Sequence, residues 1–296
     1  MSEAGLLDHL RTLPQHLLPQ QLLTAGANRI SNSHLLARPL IAGFRRLFDI
    51  DLSEYQVPEQ GFSCFNEFFT RALKDDARTF PEDRATIACP CDGTISQIGR
   101  VEQGRLLQAK GRDYSLEELL ADPDWAQRLD RGRFATIYLA PYDYHRVHLP
   151  FDGELQRELR IPGRLFSVSA TTARTVDRLF ARNERVVALF QTEYGPAAVV
   201  MVAAMLVAGI ETPWSGPEAT RPGKQVQSRD FVPPRPMRRG DELGRFHWGS
   251  TVIVVTGADA PAWQENLAAG QQVRLGQPLS APANRNRSEH PPSESA

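Results

Sequence analysis

Cysteine is scarce in this chain, appearing only as Cys64, Cys89 and Cys91. So sparse and odd a set excludes a secreted disulfide scaffold and fits reduced thiols. Cys89-Pro90-Cys91 also lacks the two-residue spacer of zinc and redox motifs, and no second pair exists, so no metal is expected there. Charge of one sign is lacking as well. A net charge of −1 over 296 residues leaves no basic excess of the kind that nucleic-acid binders carry. No basic n-region surrounds Glu3 and Asp8, which predicts no signal peptide. Long hydrophobic runs are missing too. The longest uncharged apolar stretch, Ala197 to Ile210, has 14 residues, too few to span a bilayer and suited to one or two buried strands. There is no Gly-rich phosphate loop and no strong internal repeat.

What is present changes in texture along the chain. Leucine clusters at Leu6, Leu7, Leu10 and Leu13, then at Leu17, Leu18, Leu22 and Leu23, predict helices broken by Pro14 and Pro19. "HLLARPLIAGFRRLFDI" adds an amphipathic segment with Leu40, Ile41, Phe44, Leu47 and Phe48 on its apolar side and Arg38, Arg45 and Arg46 on its flanks. Such a segment is either a cap packed on the main domain or an in-plane contact with an anionic leaflet. "SCFNEFFTRAL" continues as a short helix. From Ala85 onward, runs such as "GTISQIG", "FATIYLA", "RVVALF" and "TVIVV" are separated by turn residues at strand-like spacing. One helical insertion, "YSLEELLADPDWAQRL", opens with Ser115 and Glu118 as a capping box. The fold class is therefore α+β: a β-rich barrel or sandwich core, N-terminal amphipathic helices and one helical insertion. The predicted division is residues 1–61 (helical, membrane-contacting), 62–282 (β-rich, catalytic) and 283–296 (a disordered tail with almost no apolar content). "PPRPMRRG", Pro233 to Gly240, reads as a proline-stiffened loop.

Three segments carry groups that catalysis needs. "CPCDG" holds Asp92, "YDYHRVHLP" holds His145 and His148, and "HWGST" holds Ser250. Asp, His and Ser act together wherever they meet in space, whatever their chain order. Each also has an ordinary reading: Asp92 as a turn residue before Gly93, the histidines as satisfied core residues, and Gly249-Ser250 as the corner before a strand. No third His or carboxylate sits at a useful spacing from His145 and His148, so no metal is expected there either. On a regular strand His145 and His148 would face opposite sides, so a shared site requires a bend or bulge between them.

"WGST", "YDYHRVHLP", "CDGTIS", "LLQAKGRDYSLEELL", "IPGRLFSVS", "LFARNERV" and "IETPW" lie scattered between Phe62 and Pro278. Together they resemble the bacterial phosphatidylserine decarboxylases, the pyruvoyl-dependent prokaryotic type. The usual processing motif of that family has Leu where this chain has Trp248, and its usual "ADG" is here Cys91-Asp92-Gly93.

The resemblance implies a self-cleaving proenzyme. Ser250 would attack the carbonyl of Gly249, and elimination would leave Ser250 as a pyruvoyl group, the cofactor, at the head of a new small chain. His148 would be the base, with Asp92 orienting it and supporting its charge. Gly249, lacking a Cβ, would take up the backbone angles that open its carbonyl to attack. The ketone would form a Schiff base with the serine headgroup of phosphatidylserine, release carbon dioxide and yield phosphatidylethanolamine. His145 would assist decarboxylation or proton transfer, and Phe166 and Ser167 would contact the headgroup. The family also implies a dimer of large-plus-small-chain units, bound peripherally at the cytoplasmic face of the cell membrane. The rival reading is a serine hydrolase using Asp92, His148 and Ser250 without self-cleavage; no G-x-S-x-G elbow surrounds Ser250.

Overall fold

The computed structural model describes residues 5, 8, 12–17, 20–205, 209–215, 224–247 and 249–282. The expected tail at 283–296, the leucines Leu6, Leu7, Leu10 and Leu18, and Trp248 lie outside the described residues.

Eight strands form one antiparallel sheet: β1 (Gly93–Arg100), β4 (Arg133–Leu139), β6 (Gly153–Ile161), β7 (Arg185–Thr192), β8 (Gly195–Ala203), β10 (Gln227–Met237), β12 (Ser250–Thr256) and β13 (Gln272–Val273). They run in the order β10-β6-β7-β8-β12-β4-β1-β13. The sheet is open, ending at β10 and β13, so the β-rich core is not a closed barrel. A three-stranded sheet joins β5 (Arg146–His148), β11 (Glu242–Phe246) and β9 (Ile210–Glu211), and β2 (Arg105–Ala109) pairs with β3 (Arg112–Ser115).

β12 lies centrally, between β4 and β8, and every residue in it is buried. Its β-branched run suits that position, because stiff branched side chains pack well on a pleated surface. Burial of Val252, Ile253, Val254 and Val255 contributes about 1.5–3 kcal/mol each. That sum exceeds the roughly 1–3 kcal/mol cost of one buried unsatisfied hydroxyl, so the strand can hold Ser250 without a partner.

Helices α1 (Gln20–Ser31), α2 (Ala37–Phe48) and α3 (Phe65–Phe69) lie in the N-terminal quarter. Phe44 of α2 meets Phe65, Phe68 and Phe69 of α3 edge-on, with centroids 5.1–6.1 Å apart. Leu35 is 92% exposed and Leu47 74% exposed, leaving apolar surface beside Arg38, Arg45 and Arg46. The helical insertion is two helices, α4 (Leu116–Leu120) and α5 (Pro123–Arg128). Ser115 Oγ accepts from the Glu118 amide at 3.0 Å, as the capping box requires, and Asp122 caps α5 ahead of Pro123. Two further short helices follow, α6 (Ala170–Thr175) and α7 (Leu179–Arg182).

The proline-rich segment is not simply a loop. Arg235, Pro236 and Met237 pair with Leu155, Glu154 and Gly153 at the sheet edge, after a register break beyond Asp230. Proline fits there because an edge strand leaves one side free of ladder bonds.

Candidate active site

Three chain segments converge at one end of β4. Thr94 of β1 pairs with Tyr138, and Ser250 of β12 pairs with Leu139 on the other side. The segment that follows β4 carries both histidines, and the His148 amide donates to the Pro90 carbonyl at 2.8 Å, two residues before Asp92. Gly93 is required for this closeness. A Cβ there would lie 2.5 Å from the Tyr138 carbonyl oxygen, so Asp-Gly serves a close strand approach rather than a hairpin corner.

Asp92 is nearly buried and held on both oxygens. Arg78 donates to it through Nε at 3.2 Å and Nη2 at 2.5 Å, and the Leu275 amide donates at 2.8 Å. Arg78 also reaches Glu54 at 3.0 Å. A cavity of 410 Å³ opens onto this group, with Phe48, Tyr55, Asp92, Asp143 and Arg274 among its lining. Burial pushes the Asp143 carboxyl up to about 6; its hydrogen bond from the Ala140 amide opposes that rise and the charge of Asp92 adds to it.

His148 is held at both nitrogens. A carbonyl can only accept, so Nδ1–H donates to Gly240 at 2.7 Å, which leaves the Nε2 lone pair to accept from the Tyr144 hydroxyl at 2.9 Å. Burial lowers its pKa below the ordinary 6.5, while the Gly240 carbonyl and the charges of Glu242 and Asp92 favour the cation. His148 is thus a neutral base with its tautomer fixed by Gly240. Asp92 acts on it through charge, without a direct hydrogen bond in this state.

His145 differs in its hydrogen bonding. It is fully buried, stacks on Phe69 with centroids 4.1 Å apart, and neither ring nitrogen has a hydrogen-bond partner. Burial, followed by the charge of Arg71, lowers its pKa to about 3, against the opposing pull of the Pro141 and Ala140 carbonyls. His145 lies just before β5 and His148 ends it, and the register shift in this pairing falls on β11, between Glu242 and Gly244, rather than on the histidine segment.

Ser250 is fully buried, and its Oγ has no partner. No hydrogen bond joins Asp92, His148 and Ser250 in this state, although their segments are neighbours. Gly249 does not adopt a positive φ, and a Cβ there would approach only the Leu139 carbonyl oxygen, at 4.0 Å. Its conformational freedom is therefore not used in this uncleaved arrangement.

Phe166 is buried under Arg182, with its backbone held on both sides by the Asn183 amide. Asn183 also donates to the Ala203 carbonyl, and Ala203 pairs with Ser250. The Phe166–Ser167 loop is thus linked to Ser250 through one buried side chain. The Ser167 amide donates to Gln15. Sequence reasoning missed Arg78, Tyr144 and Asn183 as site residues. Tyr144 and Asn183 stand inside motifs already singled out, whereas Arg78 carries no local signal. Among the described residues, no group of three or more His, Cys, Asp or Glu side chains is placed to hold a metal ion.

The family model described as phosphatidylserine decarboxylase matches residues 65–281. Proteins named phosphatidylserine decarboxylase proenzyme are similar over almost the whole chain. The one from Bordetella avium is 44% identical, covering 94% of this chain and 96% of the relative. That from Azotobacter vinelandii is 46% identical, covering 92% and 98%. One from Pseudomonas aeruginosa is 48% identical, covering 93% and 98%.

Proposed function

The chain belongs to the phosphatidylserine decarboxylase family, and from that premise we propose that it cleaves itself between Gly249 and Ser250 and then decarboxylates phosphatidylserine to phosphatidylethanolamine. The observation that carries this reading is Ser250 itself: a fully buried hydroxyl without a partner, at the head of a rigid central strand and directly after Gly249.

In the first stage His148 Nε2 leaves Tyr144 and takes the Ser250 Oγ proton. Oγ adds to the Gly249 carbonyl carbon, the C–N bond breaks, and an ester replaces the peptide with the Ser250 amine set free. Loss of the Ser250 Cα proton then breaks the Cβ–Oγ bond, releasing residue 249 as a carboxylate. Return of a proton to Cβ converts the resulting enamine to an imine, and water addition to that imine expels ammonia and leaves a ketone. A positioned base of this kind contributes roughly 10²–10⁴-fold. Asp92 favours the His148 cation that forms, while Gly240 keeps the ring oriented.

Ser250 fits as the source of a pyruvoyl group, since its Oγ faces no group that would compete for it. That ketone supplies an electron sink for loss of carbon dioxide. His145, neutral above about pH 3, offers one N–H and one lone pair in a dry wall beside Phe69, where a carboxylate is poorly solvated. Phe166 and Ser167 contact the headgroup, and Asn183 holds their loop against the strand pair that carries Ser250.

The lipid is met at a membrane surface. No helix among the described residues is long and apolar enough to cross a membrane. Support for a peripheral contact comes from α2 and the two residues before it, where exposed Leu35, Leu36 and Leu47 adjoin Arg38, Arg45 and Arg46, and where Phe48 reaches the cavity that leads to Asp92. The two chains stay together as a unit, since β12 is built into the sheet between β4 and β8 and Leu275 remains bonded to Asp92. The cytoplasmic leaflet and a dimer of such units complete the proposal.

The test is turnover with the nucleophile removed. Purified protein given phosphatidylserine vesicles should release carbon dioxide and form phosphatidylethanolamine, and Ser250→Ala should do neither while remaining folded. Decarboxylation by Ser250→Ala would overturn the reading.

A further inference from the structure

His247, two residues ahead of the scissile glycine, is held on both ring nitrogens. Nδ1 meets Asn66 Oδ1 at 2.8 Å and Nε2 meets Glu211 Oε2 at 3.2 Å, with the His247 side chain only 12% exposed. An oxygen thus faces each ring nitrogen, and the ring is held at both edges. The hydrogen bond from His247 lowers the Glu211 carboxyl pKa, so this acid is charged and its contact is charge-assisted.

The backbone is anchored at the same point. The His247 amide donates to Gly209 at 3.3 Å, and Arg245 and Phe246 pair with Glu211 and Ile210. On the far side, Ser250 is already in register between Leu139 and Ala203. Only positions 248 and 249 separate a side-chain clamp from a locked strand. The Gly249 carbonyl therefore sits in a two-residue span whose ends are both fixed.

The clamp draws on elements far apart in sequence. Asn66 belongs to α3, the helix whose Phe69 stacks on His145 and whose following residue, Thr70, accepts from Arg146. Glu211 belongs to β9. One helix thus backs both the reactive arm and the histidine assigned to decarboxylation.

We propose that His247 is a positioning residue for self-cleavage, gripping Asn66 and Glu211 so that the Gly249 carbonyl is presented to Ser250 Oγ. The inference rests on self-cleavage at Gly249–Ser250 and deepens it. His247 touches none of the reacting atoms; it removes orientational freedom from the bond to be broken, and misplacement on the order of 1 Å can cost roughly 10²-fold in rate.

The test follows the appearance of the two chains in freshly made precursor. His247→Ala should slow cleavage roughly 10²-fold, while the uncleaved precursor (read on a Ser250→Ala background) still folds and unfolds in one cooperative transition. His247→Gln, whose amide can donate at one end of the clamp only, should cleave at an intermediate rate. Glu211→Gln should be slow alone but add nothing to His247→Ala, because the two act through one contact. Cleavage of His247→Ala at the parental rate, or fully additive losses with Glu211→Gln, would overturn the proposal. If His247→Ala does not fold, His247→Gln decides it, and cleavage of that variant at the parental rate refutes it. Failure of the parental chain to cleave would instead refute the underlying self-cleavage reading.

Discussion

The wall around Asp92 and the wall around His145 stand at the same end of β4 and are built on opposite terms. At Asp92 every polar atom is matched: Arg78 and the Leu275 amide hold its oxygens, and Glu54 takes the remaining reach of the guanidinium. At His145 and Ser250 nothing is matched, and three polar atoms lie buried without partners. A buried polar group left unpaired costs about 1–3 kcal/mol, and His145 and Ser250 share that condition with residues given no role in the reaction, among them Thr251 and Thr256 of the same strand as Ser250. The matched wall sets geometry and charge. The unmatched wall holds the side chains to which the proposed reaction is assigned.

Breaking the matched wall has the largest expected effect. Arg78→Ala leaves Asp92 charged and nearly buried without its main partner, and removing one member of such a pair costs about 3 kcal/mol. Denaturant titration of the Ser250→Ala precursor with and without Arg78 measures this. Arg78→Lys, which keeps the charge and loses the two-pronged contact, should recover part of it. An unchanged midpoint in Arg78→Ala would show that the pair holds nothing in place.

Emptying the unmatched wall separates the two stages. His145→Ala should leave self-cleavage largely intact and reduce turnover by roughly 10²-fold or more, read as product formed per cleaved chain. Loss of cleavage in this variant would refute the division of labour between the histidines.

The smallest effect concerns His148, which lies between the two walls. Its pKa is lowered, so the neutral base is fully present above the ordinary 6.5 and is lost only as pH falls further. Cleavage rate against pH should therefore level off below 6.5. Tyr144 donates to Nε2 and so stabilises the neutral ring. Tyr144→Phe should move the inflection upward by about half a unit, the equivalent of one modest hydrogen bond. A downward move would mean that the hydroxyl accepts instead.

Much of this was legible in residues whose signal is local. The strand after Ser250 follows from four consecutive branched apolar residues, and the Ser115 cap from Glu118 three positions on. Asp92, the two histidines and Ser250 stood out because their residue types carry chemistry and their motifs carry a family pattern. Arg78 did not, since its role depends on Asp92 arriving from a distant segment. The same holds for Asn183 and for the His247 clamp, each of which joins elements remote in sequence. The proline-rich segment misled for the opposite reason: its composition reads as loop, and only the vacant edge of β6 lets it pair.

The most direct measurement is the intact mass of the purified protein after its chains are separated under denaturing conditions. The account predicts two species, residues 1–249 and residues 250–296. The smaller should be lighter by one ammonia than its sequence requires and should carry a ketone that reacts with hydrazide reagents. A single intact 296-residue chain in an active preparation, or a small chain that begins with an ordinary serine amine, would contradict it.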